Sequence, residues 1–133
     1  MILVDTSVWI EFFNGIDAAA VHILENLIEG EEDICISDYI LAEVLQGFRK
    51  DRDFELAREN LIRFPIYSLG GPDSYIKAAQ IYRKCRKRGV TIRKTADCII
   101  AQTAIENRFI LLHDDADFDR IAKVCPLKTY PQK

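Results

Sequence analysis

Short apolar runs alternate along the chain with longer segments that carry apolar residues at helical spacing. The apolar runs predict strands over 2–4, 33–36, 66–69 and 109–112, and a last edge strand over 127–129. The helical segments are predicted over 8–13, 17–29, 40–48, 56–64, 75–88, 96–105 and 118–122. Strands that alternate with helices are typical of an α/β protein, so we expect a three-layer fold with a central, mostly parallel sheet of four to five strands flanked by helices.

The composition limits the class of protein. Of the 133 residues, 49% are hydrophobic, and no stretch rich in Pro, Gly or Ser divides the sequence, so we expect a single domain over 1–133. The apolar runs are too short to span a bilayer and no signal-peptide pattern is present, so we expect a cytoplasmic protein with no membrane partner. The four cysteines are widely spaced, which indicates reduced and mostly buried side chains rather than disulfides or structural zinc.

Acidic residues follow two of the predicted strands. Asp5 comes directly after 2–4, and Asp115 lies in the acidic turn after 109–112. Glu43 and Asp97 lie in apolar helical stretches that follow a strand or its connection. Because the functional crevice of a parallel sheet lies beyond the carboxyl ends of its strands, we expect these four side chains to meet at one edge of the sheet.

A cluster of buried carboxylates needs a counter-charge. Burying an unpaired carboxylate costs several kcal/mol, and no lysine or arginine lies within the same apolar runs. Hard divalent cations prefer carboxylate oxygens, so the sequence predicts an Mg²⁺ site in which Mn²⁺ can substitute. Such a site indicates phosphate chemistry. The candidate catalytic residues and metal ligands are Asp5, Glu43, Asp97 and Asp115, with Asp117 as a further metal ligand.

Each acidic residue also has a purely structural explanation. Asp5 can be a helix cap, although Thr6 or Ser7 can serve equally well. Asp97 can be a favourable charge in a first helical turn, and Glu43 can occupy an exposed helical position. The place of Asp5 at a strand end favours the functional interpretation, whereas Asp97 and Glu43 taken singly leave both interpretations open.

Capping preferences separate the remaining acidic residues. Thr95 is the expected cap of the helix that contains Asp97. For the last helix, Asp114 is the natural cap and Asp117 its reciprocal partner three residues later. Asp115 then has no capping role, which favours it as a metal ligand.

Basic residues are concentrated immediately before Asp97. Seven of the eighteen lysines and arginines lie between positions 83 and 94, although the formal net charge is −3. The segment can be the solvated end of a helix, where cations complement the helix dipole. An acidic pocket beside a basic strip is also the arrangement expected of a protein that cuts a polyanion.

Four segments carry a recognisable pattern in order along the chain: Ile2–Ile10, Ser37–Gly47, Thr95–Ala101 and Leu111–Phe118. Each is a weak motif alone. Together, and across essentially the whole chain, they resemble the PIN-domain ribonucleases, and within them the VapC-type toxins of toxin–antitoxin modules. The position that threonine usually fills before the last acidic residues is His113 here, a difference that removes no carboxylate.

The resemblance implies a PIN-like fold and an Mg²⁺- or Mn²⁺-dependent endoribonuclease that is the toxin of a type II toxin–antitoxin system. It implies RNA as substrate, a homodimer, and a small cognate antitoxin whose tail occupies a groove and blocks the pocket. The pocket would be filled by Asp5, Glu43, Asp97 and Asp115, with Asp117 close by.

Hydrolysis by a metal-activated water is the mechanism that we infer from this pattern. Thr6 or Ser7 would position a water or a phosphate oxygen, and Arg93 and Lys94 would hold the scissile strand. The aromatic and aliphatic residues over 9–13 and 39–64 would suit a groove for an amphipathic helix.

Other function classes are alternatives to this interpretation. A haloacid-dehalogenase-type phosphatase needs a second aspartate two residues after the first, and position 7 is serine. A receiver-type signalling domain needs a phosphate-accepting aspartate at the end of a middle strand and a lysine after a late one, and neither candidate strand ends that way here. A catalytically weak PIN-like module that binds RNA or protein would be expected to have lost a carboxylate, and this chain retains them all. Ribonucleases that use histidine pairs are disfavoured, because His22 and His113 are unpaired by spacing.

Overall fold

The computed structural model describes residues 1–132, which fold around a five-stranded sheet. The strands are β1 (Ile2–Val4), β2 (Ile34–Ser37), β3 (Ile66–Tyr67), β4 (Ile110–Leu112) and β5 (Lys128–Thr129). The helices are α1 (Thr6–Phe13), α2 (Ala19–Glu29), α3 (Asp38–Leu45), α4 (Asp51–Leu61), α5 (Pro72–Lys87), α6 (Thr95–Asn107) and α7 (Ala116–Ala122). All strand pairs are parallel, so the predicted α/β fold is confirmed.

The largest difference from the predicted elements is in α4. The prediction began at position 56 and ended at Phe64, whereas the helix begins at Asp51 and ends at Leu61. Aspartates at 51 and 53 occupy its first turn and Arg58 its last, so the charged stretch complements the helix dipole and belongs to the helix. Pro65 disfavours helical backbone in the residue before it, which is consistent with the earlier end.

The strand order places the reversal of the chain path between β1 and β4. The order is β3-β2-β1-β4-β5, so the chain moves outward from β1 in one direction and from β4 in the other. Right-handed crossovers then cover opposite faces of the sheet in the two halves. The crevice at such a switch point lies beyond the carboxyl ends of the two central strands. The residues after β1 and β4 therefore face the same crevice.

The central strands are buried on both faces, as their continuous apolar sequences predict. Leu3, Val4, Leu111 and Leu112 have no solvent exposure, and burial of each such side chain stabilises the fold by about 1.5–3 kcal/mol. The four cysteines are free and buried, as expected. Within residues 1–132, no helix combines the length and the apolar character needed to cross a membrane.

Candidate metal-binding active site

The end of β1 brings Asp5 into the crevice. Its backbone N–H donates to the carbonyl of Leu112 at 2.9 Å, which fixes it beside the end of β4. The backbone N–H and the hydroxyl of Ser7 both donate to Asp5 Oδ2, at 3.0 and 2.6 Å. Asp5 is therefore the N-cap of α1, and the prediction that Thr6 or Ser7 caps this helix is wrong. The extended backbone of Asp5 between strand and helix gives it that role.

The structural role of Asp5 accounts for only one of its oxygens. Asp5 is 4% exposed, and its buried Oδ1 has no hydrogen-bond partner among the described residues. Burial raises the pKa of this carboxyl, the hydrogen bonds from Ser7 oppose the rise, and the nearby charge of Glu43 adds to it. A cap needs one accepting oxygen, so the second oxygen is left for another ligand.

Thr6 connects the start of α1 to α3. Its hydroxyl donates to Glu43 Oε1 at 2.7 Å. Glu43 is half-buried rather than exposed, so the explanation of this residue as a solvated helical position is wrong. The hydroxyls of Thr6 and Ser7, which the sequence suggested as contacts for water or phosphate, thus orient two carboxylates.

Asp97 lies in the first turn of α6, a helix that is buried around most of its circumference. The residue before this helix is Lys94, whose side chain makes no capping bond, so the prediction of Thr95 as the cap is wrong. Asp97 is 5% exposed, and its Oδ2 has no hydrogen-bond partner among residues 1–132. Burial, together with the negative charges of Asp115 and Asp5, raises the pKa of Asp97 to about 7.

The acidic turn after β4 uses Asp115 as the cap of α7. Its Oδ1 accepts the backbone N–H of Asp117 at 3.0 Å, so the prediction that Asp114 is the cap and Asp115 is surplus is wrong. Two contacts hold the turn in this arrangement. The backbone N–H of Asp114 donates to the Ser7 hydroxyl at 3.1 Å, and that of Asp115 donates to His113 Nδ1 at 3.2 Å.

Asp117 is the carboxylate with the most protein partners. Arg120 donates to its Oδ1 at 2.5 Å, and Arg93 donates to its Oδ2 from Nε at 3.2 Å and from the backbone N–H at 3.4 Å. Arg93 Nη2 also contacts Asp115 Oδ1 at 3.3 Å. Burial raises the pKa of Asp117, but the hydrogen bonds from Arg93 and Arg120 outweigh burial and hold the pKa below its ordinary value.

The crevice collects the predicted carboxylates into one cluster. One oxygen from each of Asp97, Asp115 and Asp117 lies within 4.8 Å of the others. Asp5 and Glu43 extend the cluster electrostatically. The charge of Asp5 raises the pKa of Asp97, and the charge of Glu43 raises the pKa of Asp5. The candidate ligand atoms are all carboxylate oxygens, and two buried ones, Asp5 Oδ1 and Asp97 Oδ2, lack a hydrogen-bond partner among residues 1–132. That combination fits a hard divalent cation such as Mg²⁺ or Mn²⁺.

Three contacts near the cluster were missed by sequence reasoning. Arg120 pairs with the aspartate one helical turn before it, and i,i+3 spacing could have revealed this pair. His113 is buried, and its Nε2 lies 3.3 Å from Asp119 Oδ1. Burial and the neighbouring carboxyl group of Asp114 raise the pKa of Glu11 to about 7. No local pattern indicates the last two contacts, because each depends on packing between elements.

The basic residues form an exposed rim, of which Arg93 and Lys94 lie beside the cluster. Those at positions 83, 84, 86, 87 and 88 lie at the end of α5 and are all exposed, as are Arg93 and Lys94. Among the ion pairs of residues 1–132, only Arg93 of this group takes part. The others keep their charge available to a polyanion.

Comparison with known proteins decides the family. The family model described as PIN domain matches residues 2–124. This chain belongs to the PIN-domain family. Ribonuclease VapC11 of Mycobacterium tuberculosis is 35% identical over 129 residues, which covers 96% of each chain, so the protein falls in the VapC group of PIN domains.

Solved structures support the fold of this PIN domain. VapBC2 from Rickettsia felis, bound to a DNA fragment from its promoter, gives a TM-score of 0.77 at 21% identity and covers 98% of both chains. FitAcB from Neisseria gonorrhoeae gives a TM-score of 0.75 at 23% identity and covers 99% of this chain and 98% of that one. The three-layer PIN fold expected from the sequence is therefore confirmed.

Proposed function

We propose that this PIN domain is a metal-dependent endoribonuclease, the toxin of a type II toxin–antitoxin system. The observation that carries the proposal is that two buried carboxylate oxygens at the switch point of the sheet, Asp5 Oδ1 and Asp97 Oδ2, have no partner among residues 1–132, where Asp97 also clusters with Asp115 and Asp117. Such oxygens are costly unless a cation binds them. The relationship to proteins named VapC ribonucleases supports RNA as the substrate.

We assign Asp5, Asp97 and Asp115 as the residues that would hold Mg²⁺ or Mn²⁺, with Glu43 completing the acidic wall. Asp117 lies within reach of the same cation, but each of its oxygens already accepts a hydrogen bond from an arginine. When bound, the cation would supply Lewis-acid chemistry, activating a water and stabilising charge on a phosphodiester.

The chain's own residues orient this site and bind the substrate. The Ser7 hydroxyl fixes the direction of the Asp5 carboxylate, and the Thr6 hydroxyl fixes that of Glu43. Supporting contacts of this kind usually change metal affinity or activity by about 10–100-fold when removed. Arg93 and Lys94 continue the basic rim to the edge of the acidic cluster, where they would hold the phosphates on either side of the cleaved bond.

An apolar groove between α1, α3 and α4 supports the antitoxin as partner. Ile10, Phe13, Val44 and Phe48 line its inner part, and Leu56 lies on the adjoining wall. A groove of this composition fits the apolar face of an amphipathic helix. Solved relatives of the same fold are toxin–antitoxin complexes by name, including VapBC2.

A second copy of the chain is the other proposed protein partner. A cleft of about 320 Å³ between α3, α5 and α6 is lined by Tyr39, Leu69 and Tyr75. Tyr39, Tyr75 and the adjacent Ile76 are exposed, whereas Leu69 is buried. Exposed apolar patches of this kind mark interaction surfaces. We propose a homodimer that acts in the cytoplasm, where its RNA substrate is made.

Cleavage of a mixture of total RNA and tRNA by the purified protein tests the function. The reactions contain Mg²⁺, Mn²⁺ or EDTA, and compare the wild type with Asp5→Asn and Asp97→Asn. Asp73→Asn is the matched control, because Asp73 also lies in the first turn of a helix but is exposed. We expect cleavage in Mg²⁺ or Mn²⁺ that EDTA and both site variants abolish and the control retains.

Two other outcomes would change the proposal. Cleavage that continues in EDTA would reject the metal-dependent mechanism. Intact RNA in every reaction, from a folded protein that binds Mn²⁺, would favour a PIN-like binding module over an enzyme.

A further inference from the structure

Arg93 contacts two carboxylates of the cluster in unequal ways. Its contact with Asp117 uses two donors, the backbone N–H and Nε, on one oxygen. Asp117 is 1% exposed, and Arg120 holds its other oxygen. The carboxylate that accepts the hydrogen bonds of Arg93 is therefore buried, and each of its two oxygens is held by an arginine.

The contact with Asp115 is weaker and more open. It consists of a single donor, Nη2, at 3.3 Å from an oxygen that already caps α7. The side chain of Arg93 is 66% exposed. A guanidinium has five N–H donors in a planar fork, so most of the donors on its outer nitrogens face solvent beside the basic rim.

The function proposed above gives this asymmetry a role, and the inference rests on it. We propose that Arg93 is a tethered counter-cation, which pairs with Asp115 before the metal binds and transfers its outer nitrogens to an RNA phosphate afterwards. Asp117 is the tether. It is a positioning residue that holds Arg93 at the rim rather than a ligand of the metal.

Electrostatics requires the transfer once Asp115 binds a cation. Two positive charges in close proximity repel each other even at the effective dielectric of a protein surface, so a cation held by Asp115 would disfavour the contact with Arg93. With a cation held by Asp115, the carboxylate charge that attracts Nη2 would also be neutralised. The outer nitrogens would then be free at the edge of the site, and their planar fork matches the oxygens of a phosphate.

Lys94 provides a matched control. It is the next residue, it carries the same charge, and it is exposed, but it takes part in none of the ion pairs found among residues 1–132. A general change of surface charge would affect both positions alike. A counter-cation that contacts a metal ligand directly predicts a larger effect at Arg93 than at Lys94, whose charge acts on Asp97 only through space.

Metal affinity is the first measurement, because it does not depend on catalysis. Mn²⁺ binding is measured by electron paramagnetic resonance for wild type, Arg93→Gln, Lys94→Gln, Asp117→Asn and Asp97→Asn. We expect Arg93→Gln to tighten Mn²⁺ binding by about fivefold, at the lower end of typical coupling between two binding events. Lys94→Gln should tighten it less, because Lys94 acts on Asp97 only through space and contacts no carboxylate of the cluster, and Asp117→Asn should change it far less than Asp97→Asn does.

RNA affinity is the second measurement and separates a tether from a merely structural residue. Binding of a labelled single-stranded RNA is followed by fluorescence anisotropy across a range of salt, in Ca²⁺ to limit hydrolysis and in EDTA. Arg93→Gln should weaken binding in Ca²⁺ and reduce the salt slope by about 0.7, the value for one phosphate contact. In EDTA it should have little effect, whereas Lys94→Gln should weaken binding equally in both conditions. The double variant Arg93→Gln/Asp117→Asn should bind RNA as weakly as Arg93→Gln alone, because Asp117 acts through Arg93.

The outcomes separate this inference from the nuclease function. Equal Mn²⁺ affinities of wild type and Arg93→Gln would overturn the proposal that Arg93 is a counter-cation, even if the protein is an active ribonuclease. Tighter Mn²⁺ binding by Arg93→Gln in a protein that cleaves no RNA would support the counter-cation and reject the enzyme. A loss of Mn²⁺ affinity in Asp117→Asn as large as that in Asp97→Asn would show that Asp117 is a ligand. If that variant fails to fold, the comparison of Arg93→Gln with Lys94→Gln still decides.

Discussion

The two sides of the acidic cluster are held by different chemistry. After β1, the carboxylates of Asp5 and Glu43 accept hydrogen bonds from the hydroxyls of Ser7 and Thr6, and we call this the hydroxyl half. After β4, Asp115 and Asp117 are paired with arginines, and we call this the arginine half. Both halves lie at one edge of the sheet and are built from the same type of acid.

The difference determines where an external cation is needed. A hydroxyl orients a carboxylate without neutralising it, whereas a guanidinium does both. The arginine half therefore carries its own positive charge. The hydroxyl half does not, and Asp97, between the two halves, has a buried oxygen with no partner in the described chain. The demand for a cation is greatest at Asp5 and Asp97.

The largest expected effect comes from removing charge on the side that lacks arginines. Asp5→Asn and Asp97→Asn should each lower metal-dependent RNA cleavage by more than about a hundredfold, the upper range for residues that only support a metal ligand. Asp117→Asn should lower it less, because this residue acts through Arg93. Initial cleavage rates at saturating Mn²⁺ provide the measurement. An Asp117 variant as inactive as the Asp97 variant would remove the distinction between the halves.

The hydroxyls themselves are the next test. Ser7→Ala removes the side-chain donor to Asp5 and the acceptor of the Asp114 N–H, so we expect Mn²⁺ affinity to fall by about 10–100-fold. Thr6→Val, which frees Glu43, should have a smaller effect. Ser68→Ala is the matched control, because its hydroxyl also donates to a carboxylate, that of Asp38, but on the exposed surface. Calorimetric titration with Mn²⁺ measures all three. Unchanged affinity in Ser7→Ala would mean that Asp5 needs no orienting hydroxyl.

The missing counter-charge at Asp97 should also appear as a pH dependence of stability. The pKa of Asp97 is raised from 3.8 to about 7 in the folded chain. Between those values the unfolded carboxyl has lost its proton and the folded one retains it, so the stability of the metal-free protein falls as pH rises through this window. The contribution is fully favourable below about pH 4 and lost above about pH 7.

Thermal unfolding in EDTA at pH 5 and pH 8 tests this sign. We expect the Tm of the wild type to fall between pH 5 and pH 8 by roughly 5 °C more than the Tm of Asp97→Asn falls over the same range. Saturating Mn²⁺ should restore stability at pH 8, because a ligand that binds only the folded state stabilises it. A wild type and an Asp97→Asn variant with parallel pH profiles would contradict the raised pKa.

The sequence predicted the edge at which these carboxylates meet, but not how each is held. Apolar runs and the position of an acid after each run suffice for Asp5 and Asp115, because parallel strands end at one edge. The caps could not be predicted, because adjacent side chains in each turn have similar capping preferences and tertiary contacts choose between them. At the acidic turn, the choice depends on Ser7, which lies more than one hundred residues away.

The charged residues show the same limit. Arg120 is one turn from Asp117 and its pairing follows from helix geometry. Arg93 is 24 residues from the same aspartate, and its basic neighbours give it the appearance of a simple phosphate contact. Only the packing of the segment before α6 against α7 reveals that it is paired. Local patterns thus predict contacts within an element, and the fold decides contacts between elements.

The smallest expected effect comes from the redundancy of the arginine half. Arg120→Gln removes one of two arginines on Asp117, and Arg93 still satisfies the other oxygen. We expect a loss of about 1 kcal/mol, at the lower end for a buried acceptor that loses a partner, or a fall in Tm of about 3 °C. Arg58→Gln is the control, because its pairing with Glu55 is exposed on both sides and should contribute almost nothing. Thermal unfolding at pH 7 separates the two variants. A larger loss for Arg120→Gln than for Ser7→Ala would mean that the arginine half, rather than the hydroxyl half, carries the stability of the crevice.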